Sequence, residues 1–349
     1  MPDFSKHILF LTPGFPKDEN DFYCIPPLQE FLIKFHQTYP SVRISVITFQ
    51  YPYQEKAYYW NELNIIPLGG MNSKIKKLRV WLNCIVEASK IHNDSPVTAI
   101  HSLWVGECAM LGNFLSKKFN CEHFCTLMGQ DVKASNWYLK LLKKRKIIFI
   151  ALSLNQANKF YKITERKVDE IIHWGIDDQN FYNNQRDIDL LGVGSLIPLK
   201  NYSLLIEAVK HALRIKPTIK CKIAGIGPEL SRLKQITEEK GLSNNIEFTG
   251  LLSRQEIFKL MQRSKILVHP SRFEGSGFVF AEALVNGMNI VSFNVGYAQA
   301  HPKWFIAKNN EEFISIIEKI LSAELNFEAI NLFPLQETIN RYANLYGIN

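Results

Sequence analysis

Short apolar runs and helical-period segments alternate along almost the whole chain, in two successive series, and this alternation most restricts the fold. When a helix separates each strand from the next, neighbouring strands run parallel and the helices cover both faces of the sheet. The first series opens with KHILFLTPGFP (Lys6 to Pro16), a strand broken at Pro13-Gly14, as at the start of a nucleotide-binding α/β domain. IPPLQEFLIKFHQTYP follows, with Leu28, Phe31, Leu32 and Phe35 at helical spacing. VRISVITF, NIIPLGG, VTAIHSLW, CEHFCTLMGQD and IIFIALS read as further strands, KLRVWLNCIVEASKI as a helix, and KVDEIIHWGID (Lys167 to Asp177) as a last short strand and exit turn. The polar, aperiodic stretch Asn180 to Asp189 is the predicted linker.

The second series has LLGVGS, IKCKIAG, NIEFTG, KILVHPS and MNIVSF as strands. Helices NYSLLIEAVKHAL, ELSRLKQITEEKG, SRQEIFKLMQRS and EEFISIIEKIL alternate with them, and LQETINRYANLYG closes the chain. At 349 residues the chain exceeds one ordinary core. The expected fold class is α/β, with two Rossmann-like parallel-sheet domains at 1–180 and 181–325 and a C-terminal helical segment at 326–349.

Hydrophobic content of 46% and charged content of 21% suit a globular protein. After Lys6 and His7 the apolar run is only Ile8 to Leu11, and no uncharged apolar run is long enough to span a bilayer. The expected location is cytoplasmic, peripheral at the inner face of the membrane at most. The six cysteines are scattered and suggest reduced thiols; Cys121 and Cys125 bracket His123 like a metal half-site, but no second half-site accompanies them. Asp187-Ile188-Asp189 resembles a cation-binding pair yet precedes a strand, so no metal is expected there.

The formal net charge of +8 is unevenly placed. Val132 to Thr164 has no acidic residue but contains Lys133, Lys140, Lys143, Lys144, Arg145, Lys146, Lys159 and Lys162; Lys74, Lys76, Lys77 and Arg79 form an earlier cluster. Such runs are either solvated helix faces or a surface for anionic lipid or an anionic acceptor. No nucleic-acid-binding module accompanies them, so nucleic acid is not an expected partner.

The chemistry concentrates in PSRFEGSGFVFAEALVNG (Pro270 to Gly287), a strand end, a glycine loop and a short helix. Gly275 and Gly277 flank Ser276, so backbone N–H groups and the positive end of a helix can approach an anion together. Glu274 and Glu282 add two carboxylates beside that cradle. Phosphate and hydroxyls in one ligand point to a nucleotide-sugar.

Four segments, in order, resemble the GT-B glycosyltransferases of the large retaining family four, glycosyltransferases group 1, most strongly from Gly192 to Ser292. VGSLIPLKNYSLLIEAV is similar to the family's glycine turn, lysine and helix. The resemblance implies that Lys200 binds the donor diphosphate beside Gly194 and Ser195, the latter standing where many members have arginine. AGIGPELSRL resembles a turn in which Gly225 and Gly227 are structural. NIEFTGLLSRQEI resembles the segment whose backbone meets the nucleotide base, at Gly250 and Leu251. PSRFEGSGFVFAEALVNG keeps the E-x7-E pattern, which implies Glu282 on the ribose hydroxyls, Glu274 by the donor sugar, and the Ser276, Gly277 and Phe278 backbone on the diphosphate.

The first half resembles the family more weakly. HSLW and TLMGQD fall where relatives have a strand end and a histidine-glycine-x-aspartate turn; Met128 stands at the histidine and Asp131 is kept. The expected acceptor side is therefore Gly14, His101, Trp104 and Met128, with Asp131 and Glu274 as catalytic candidates. HWGID resembles a family turn, and LQETINRYANLYG the terminal helix that returns to the first domain.

The resemblance implies a hexosyltransferase-type enzyme that moves a sugar from a nucleoside-diphosphate sugar to an acceptor hydroxyl with retention, in cell-surface polysaccharide or glycolipid synthesis. Its partners would be the nucleotide-sugar and a sugar or lipid-linked acceptor; an anionic membrane surface is an expected partner from the basic first half, not from the resemblance. A cleft between the domains would close on the donor. Neither cofactor nor metal is expected, because lysine and helix N-terminus take the cation's place. Two alternatives stay open: a nucleotide-sugar epimerase of the same fold, which would turn over donor alone, and a catalytically inactive membrane- or partner-binding relative, to which Met128 and Ser195 point.

Overall fold

The computed structural model describes residues 6–178 and 185–348, in two compact units: Met1–Gly175 with Leu335–Asn349, and Ile176–Pro334. The first unit contains β1 (Lys6–Gly14), α1 (Pro26–Thr38), β2 (Val42–Tyr51), β3 (Tyr58–Trp60), β4 (Leu63–Pro67), α2 (Lys77–Asp94), β5 (Ala99–Leu103), α3 (Glu107–Phe119), β6 (Glu122–Thr126), α4 (Trp137–Leu142), β7 (Ile148–Ala151), α5 (Leu154–Thr164) and β8 (Glu170–Ile171). Its strands lie in the order β3-β4-β2-β1-β5-β6-β7-β8. All pairs are parallel except β3 with β4. Ile8, Leu9, Phe10 and Leu11 of β1 are all buried, as a central strand covered on both faces requires.

The second unit contains β9 (Ile188–Val193), a 3₁₀ turn at Pro198–Lys200, α6 (Tyr202–Ala212), β10 (Cys221–Ala224), α7 (Leu230–Glu239), β11 (Ile246–Gly250), α8 (Arg254–Gln262), β12 (Ser264–His269), α9 (Phe278–Val285), β13 (Asn289–Phe293), β14 (Trp304–Ala307) and α10 (Asn310–Leu321). The six strands are ordered β11-β10-β9-β12-β13-β14 and all parallel. Connections go one way from β9 to β11 and then jump to β12 on the other side. The sheet therefore reverses direction between β9 and β12, where open α/β sheets bind ligands at their carboxyl ends. In the first unit the same reversal falls between β1 and β5.

The chain returns to the first unit as α11 (Leu335–Leu345). Its buried face includes Leu335, Thr338, Ile339, Tyr342 and Ala343. Tyr342 meets Phe31 of α1 edge-on at 4.9 Å, and Tyr346 meets Phe124 of β6 at 5.2 Å. His101 of β5 bonds Tyr346 through Nδ1 and Thr126 through Nε2, the latter at 2.7 Å. Thr126 continues to the Tyr342 hydroxyl at 3.0 Å. This buried chain of polar groups fixes α11 to the sheet.

Several expectations shift. The 180/181 boundary lies outside the described residues; the units divide after Gly175, and of the segment 326–349 only Leu335–Asn349 joins the first unit. The part of the predicted linker at 180–184 is also outside them. Arg186 donates to Met261 O at 3.1 Å and Asn286 O at 2.7 Å, and β9 starts at Ile188, so polarity there reflects tethering to the second unit. Asp187 pairs with Arg263 at 2.6 Å, while Asp189 pairs with Lys216 at 2.7 Å and Lys265 at 2.9 Å. That pair is spent on lysine and arginine. His123 Nε2 lies 2.9 Å from Ser102 Oγ.

Strand β3 was not expected from the sequence. Its hairpin to β4 turns at Asn61 and Glu62, both at positive φ (45° and 67°), with neither position the glycine that usually signals such a turn.

Candidate active site

Three strand tips of the second unit meet through glycine. Gly194 N–H donates to Ala224 O at 3.0 Å, and Gly225 N–H to Gly250 O at 2.8 Å. A Cβ on Gly225, at φ +145°, would stand 2.0 Å from Gly194 O. Only glycine lets the turns after β9 and β10 stack this closely. The stacking sets the height of the Lys200 turn against the sheet edge.

Across the reversal point, the loop after β12 is tied to that turn: Arg272 N–H donates to Leu199 O at 3.2 Å. This brings Lys200 Nζ to 2.6 Å from Glu274 Oε1, and His269, the last residue of β12, reaches the same oxygen with Nε2 at 2.8 Å. All three side chains are largely buried, at 19%, 12% and 1% exposure. Burial opposes ionisation of Glu274, but the hydrogen bond from His269 and the Lys200 ammonium reverse this and hold its carboxyl well below the usual range. Burial pushes the His269 imidazole down, and the Glu274 carboxylate opposes this. The site thus sets one carboxylate between an ammonium and an imidazole.

Gly277, at φ +70°, caps α9 without a side-chain hydrogen bond, and the first turn carries no acidic residue. The helix start therefore keeps its positive character beside Glu274. One turn on, Glu282 lies 3.3 Å from Arg254 Nη2, whose guanidinium is 5.0 Å from the Phe258 ring centroid and 5.6 Å from that of Phe278. Burial raises the Glu282 carboxyl and Arg254 opposes the shift. Tyr202, pushed up by burial and by the Glu274 charge, places a buried hydroxyl beside Gly194. Its Oη and His269 Nδ1 have no hydrogen-bond partner among the described residues.

The structure thus gathers Lys200, Gly194, Glu274, Ser276, Gly277, Phe278 and Glu282 on one edge of one sheet. Gly250 ends β11 on that edge; Ser195 and Leu251 follow β9 and β11 and are exposed. Sequence reasoning missed His269, Arg254 and Tyr202. A histidine ending an otherwise apolar strand, ahead of Glu274, was a readable signal; the Arg254–Glu282 pairing joins separate helices and has no local signal.

The first unit's candidates lie at the ends of β1, β5 and β6. Gly14 closes β1 and is buried; Trp104 follows β5 at φ 67° and is half-buried, as is Met128 after β6. His101 is a correction: it is fully buried inside the sheet, bonded to Tyr346 and Thr126, and pushed down to about 3 by burial. It cannot face an acceptor. The structure gives Asp131 a positioning task. Its carboxylate accepts N–H bonds from Val105 at 2.9 Å, Gly129 at 2.8 Å and Met128 at 3.2 Å, stapling the β5–α3 loop to the turn after β6. Burial raises its carboxyl against those bonds.

A parallel sheet with a cation, two carboxylates and an uncapped glycine-led helix at its reversal point has the form of a Rossmann-like domain. Residues 176–333 match the family model for Glycosyl transferases group 1, a span that coincides with the second unit. That unit resembles the glycosyl transferases group 1. An uncharacterized glycosyltransferase of Methanocaldococcus jannaschii is 25% identical over 64% of this chain and 63% of its own length. A poly(ribitol-phosphate) alpha-N-acetylglucosaminyltransferase of Staphylococcus aureus is 25% identical over 35% of this chain and 24% of its own. The chain therefore spans less than two thirds of either relative. The crystal structure of Anabaena HepE in complex with UDP and glucose superposes with a TM-score of 0.75 at 18% identity, covering 98% of this chain and 99% of that one. The fold is GT-B, built from two parallel-sheet α/β units.

Proposed function

We propose that this protein transfers a sugar from a nucleoside-diphosphate sugar to an acceptor hydroxyl, holding the donor in the second unit. The Lys200–Glu274–His269 cluster beside the uncapped start of α9 carries this reading. As the bond from sugar to diphosphate breaks, negative charge grows on the leaving oxygen. Lys200 and the amides at Ser276, Gly277 and Phe278 are suited to receive it, the kind of preorganised electrostatic term that dominates such catalysis. Glu274, kept ionised, suits the developing positive charge at the sugar or one of its hydroxyls. Glu282 suits the ribose hydroxyls and Gly250 and Leu251 the base. No metal or cofactor is assigned a role.

The UDP and glucose bound to HepE support a UDP-sugar as the first donor to try, and the resemblance of the second unit to group 1 enzymes supports retention. On the acceptor side, Gly14, Trp104 and Met128 sit at strand ends of a basic unit, which favours an anionic or lipid-linked acceptor and a role in surface polysaccharide or glycolipid synthesis. The test is thermal stabilisation by a panel of nucleotide-sugars followed by product analysis with the best donor. Stabilisation by none of them sinks the reading; donor turnover to an isomer without transfer would make the protein an epimerase.

A further inference from the structure

Helix α2 is apolar on two sides. Val80, Cys84, Ala88 and Ile91 face the core and are buried. The opposite side is not polar, as a surface helix requires: Leu78 is 69% exposed, Leu82 64% and Val86 51%. These residues recur every fourth position and form one ridge. Ile75, just before the helix, is 95% exposed and extends it. Single exposed leucines are ordinary, whereas a contiguous apolar ridge marks a contact surface.

Helix α4 adjoins the start of this ridge. Lys77 Nζ lies 3.2 Å from the Tyr138 hydroxyl, and the Trp137 ring stacks on Tyr138 at 4.0 Å. Trp137 and Leu141 are themselves exposed. The rim is basic: Lys74, Arg79, Lys133, Lys140, Lys144 and Lys146 are all exposed. The neighbouring acids are matched, Glu55 by Arg79 at 2.7 Å, Glu107 by Lys77 at 2.9 Å and Glu87 by Lys90 at 2.8 Å. An apolar ridge with a tryptophan, rimmed by lysine, suits a bilayer interface, where stems and ridge enter the acyl boundary and amines meet lipid phosphates. A second copy of the chain suits it less, because it also carries a net charge of +8.

We infer that the first unit docks on an anionic lipid surface through α2 and α4, with Ile75, Leu78 and Leu82 entering the interface and Lys74, Lys140 and Lys144 at the headgroups. This deepens the proposed acceptor chemistry and rests on it only for its purpose. The experiment is co-sedimentation of the full chain with vesicles of phosphatidylcholine, with or without phosphatidylglycerol, over a salt series. Binding is expected to the mixed vesicles only and to weaken with salt. Leu78→Gln with Leu82→Gln should weaken it about tenfold, and Lys140→Gln with Lys144→Gln should flatten the salt dependence. Unchanged binding in the ridge variant overturns the proposal, as do equal binding to neutral vesicles and a ridge variant that alters only the oligomeric state in light scattering. Nucleotide-sugar stabilisation, measured on the same samples, reports separately on the donor reading and should be unaltered in the ridge variant.

Discussion

Lys200 and Glu274, separated by 74 positions in sequence, meet at 2.6 Å across the point where the second sheet reverses its strand order. The contact joins the turn after β9 to the loop after β12. Lys200→Ala and Glu274→Ala should each lower transfer on the order of 10²–10³-fold, as removal of one preorganised charge does elsewhere. Circular dichroism should show the fold retained. Full activity in either variant is incompatible with the assigned roles.

The same pair predicts a non-additive stability effect. Lys200→Met alone leaves a buried carboxylate without its cation, expected to cost ~3 kcal/mol. Adding Glu274→Gln should return much of that loss while leaving the enzyme inactive. A double-mutant cycle in urea checks this, and simple additivity would argue against coupling.

Acid should destabilise the first unit early. Burial lowers His7 to about 4, and His101 and His123 to about 3, from 6.5. Below pH 6.5 the unfolded chain takes up protons that the folded unit refuses. The stabilisation is therefore complete above that pH and is lost as pH falls toward 4 and 3. Urea midpoints measured across this window should drop steadily, and a flat profile would contradict the burial of these rings.

Glu282 behaves in the opposite sense, since burial raises its carboxyl. Ribose hydroxyls need the ionised acceptor, so nucleotide affinity should fall on the acid side. Arg254→Met should move that fall to higher pH, because it removes the opposing guanidinium. UDP titration calorimetry across pH reads the shift directly, and coincident profiles for both proteins would deny Arg254 this role.

For Asp131 the expected loss is of stability. Asp131→Ala strands three N–H groups, two of them buried, at about 1–3 kcal/mol for each buried group before water or relaxation compensates. Asp131→Asn keeps an acceptor and should recover part of the stability. If it recovers stability but no activity, the carboxylate does more than position its loops.

Much of this was legible in the sequence because strands buried on both faces leave continuous apolar runs, such as Ile8 to Leu11, between helical periods. The donor loop was legible because Glu274, Gly277 and Glu282 are close in sequence. Contacts between distant segments were not. His101 looks like a site residue at a strand end, yet it points into the core toward Tyr346, 245 positions away. Arg254 meets Glu282 only because α8 and α9 pack on one sheet. The hairpin at Asn61-Glu62 lacked the glycine that announces such turns.

The return of α11 has a consequence for biosynthesis. The first unit needs Tyr342 and Tyr346 to close over Phe31, Phe124 and His101, so on the ribosome it stays open until α11 emerges. The second unit, contiguous from Ile176 to Pro334, is complete before α11 is made. Although synthesised later, it is free to fold earlier, and a chain cut before Leu335 would carry a finished second unit beside an unsealed first one.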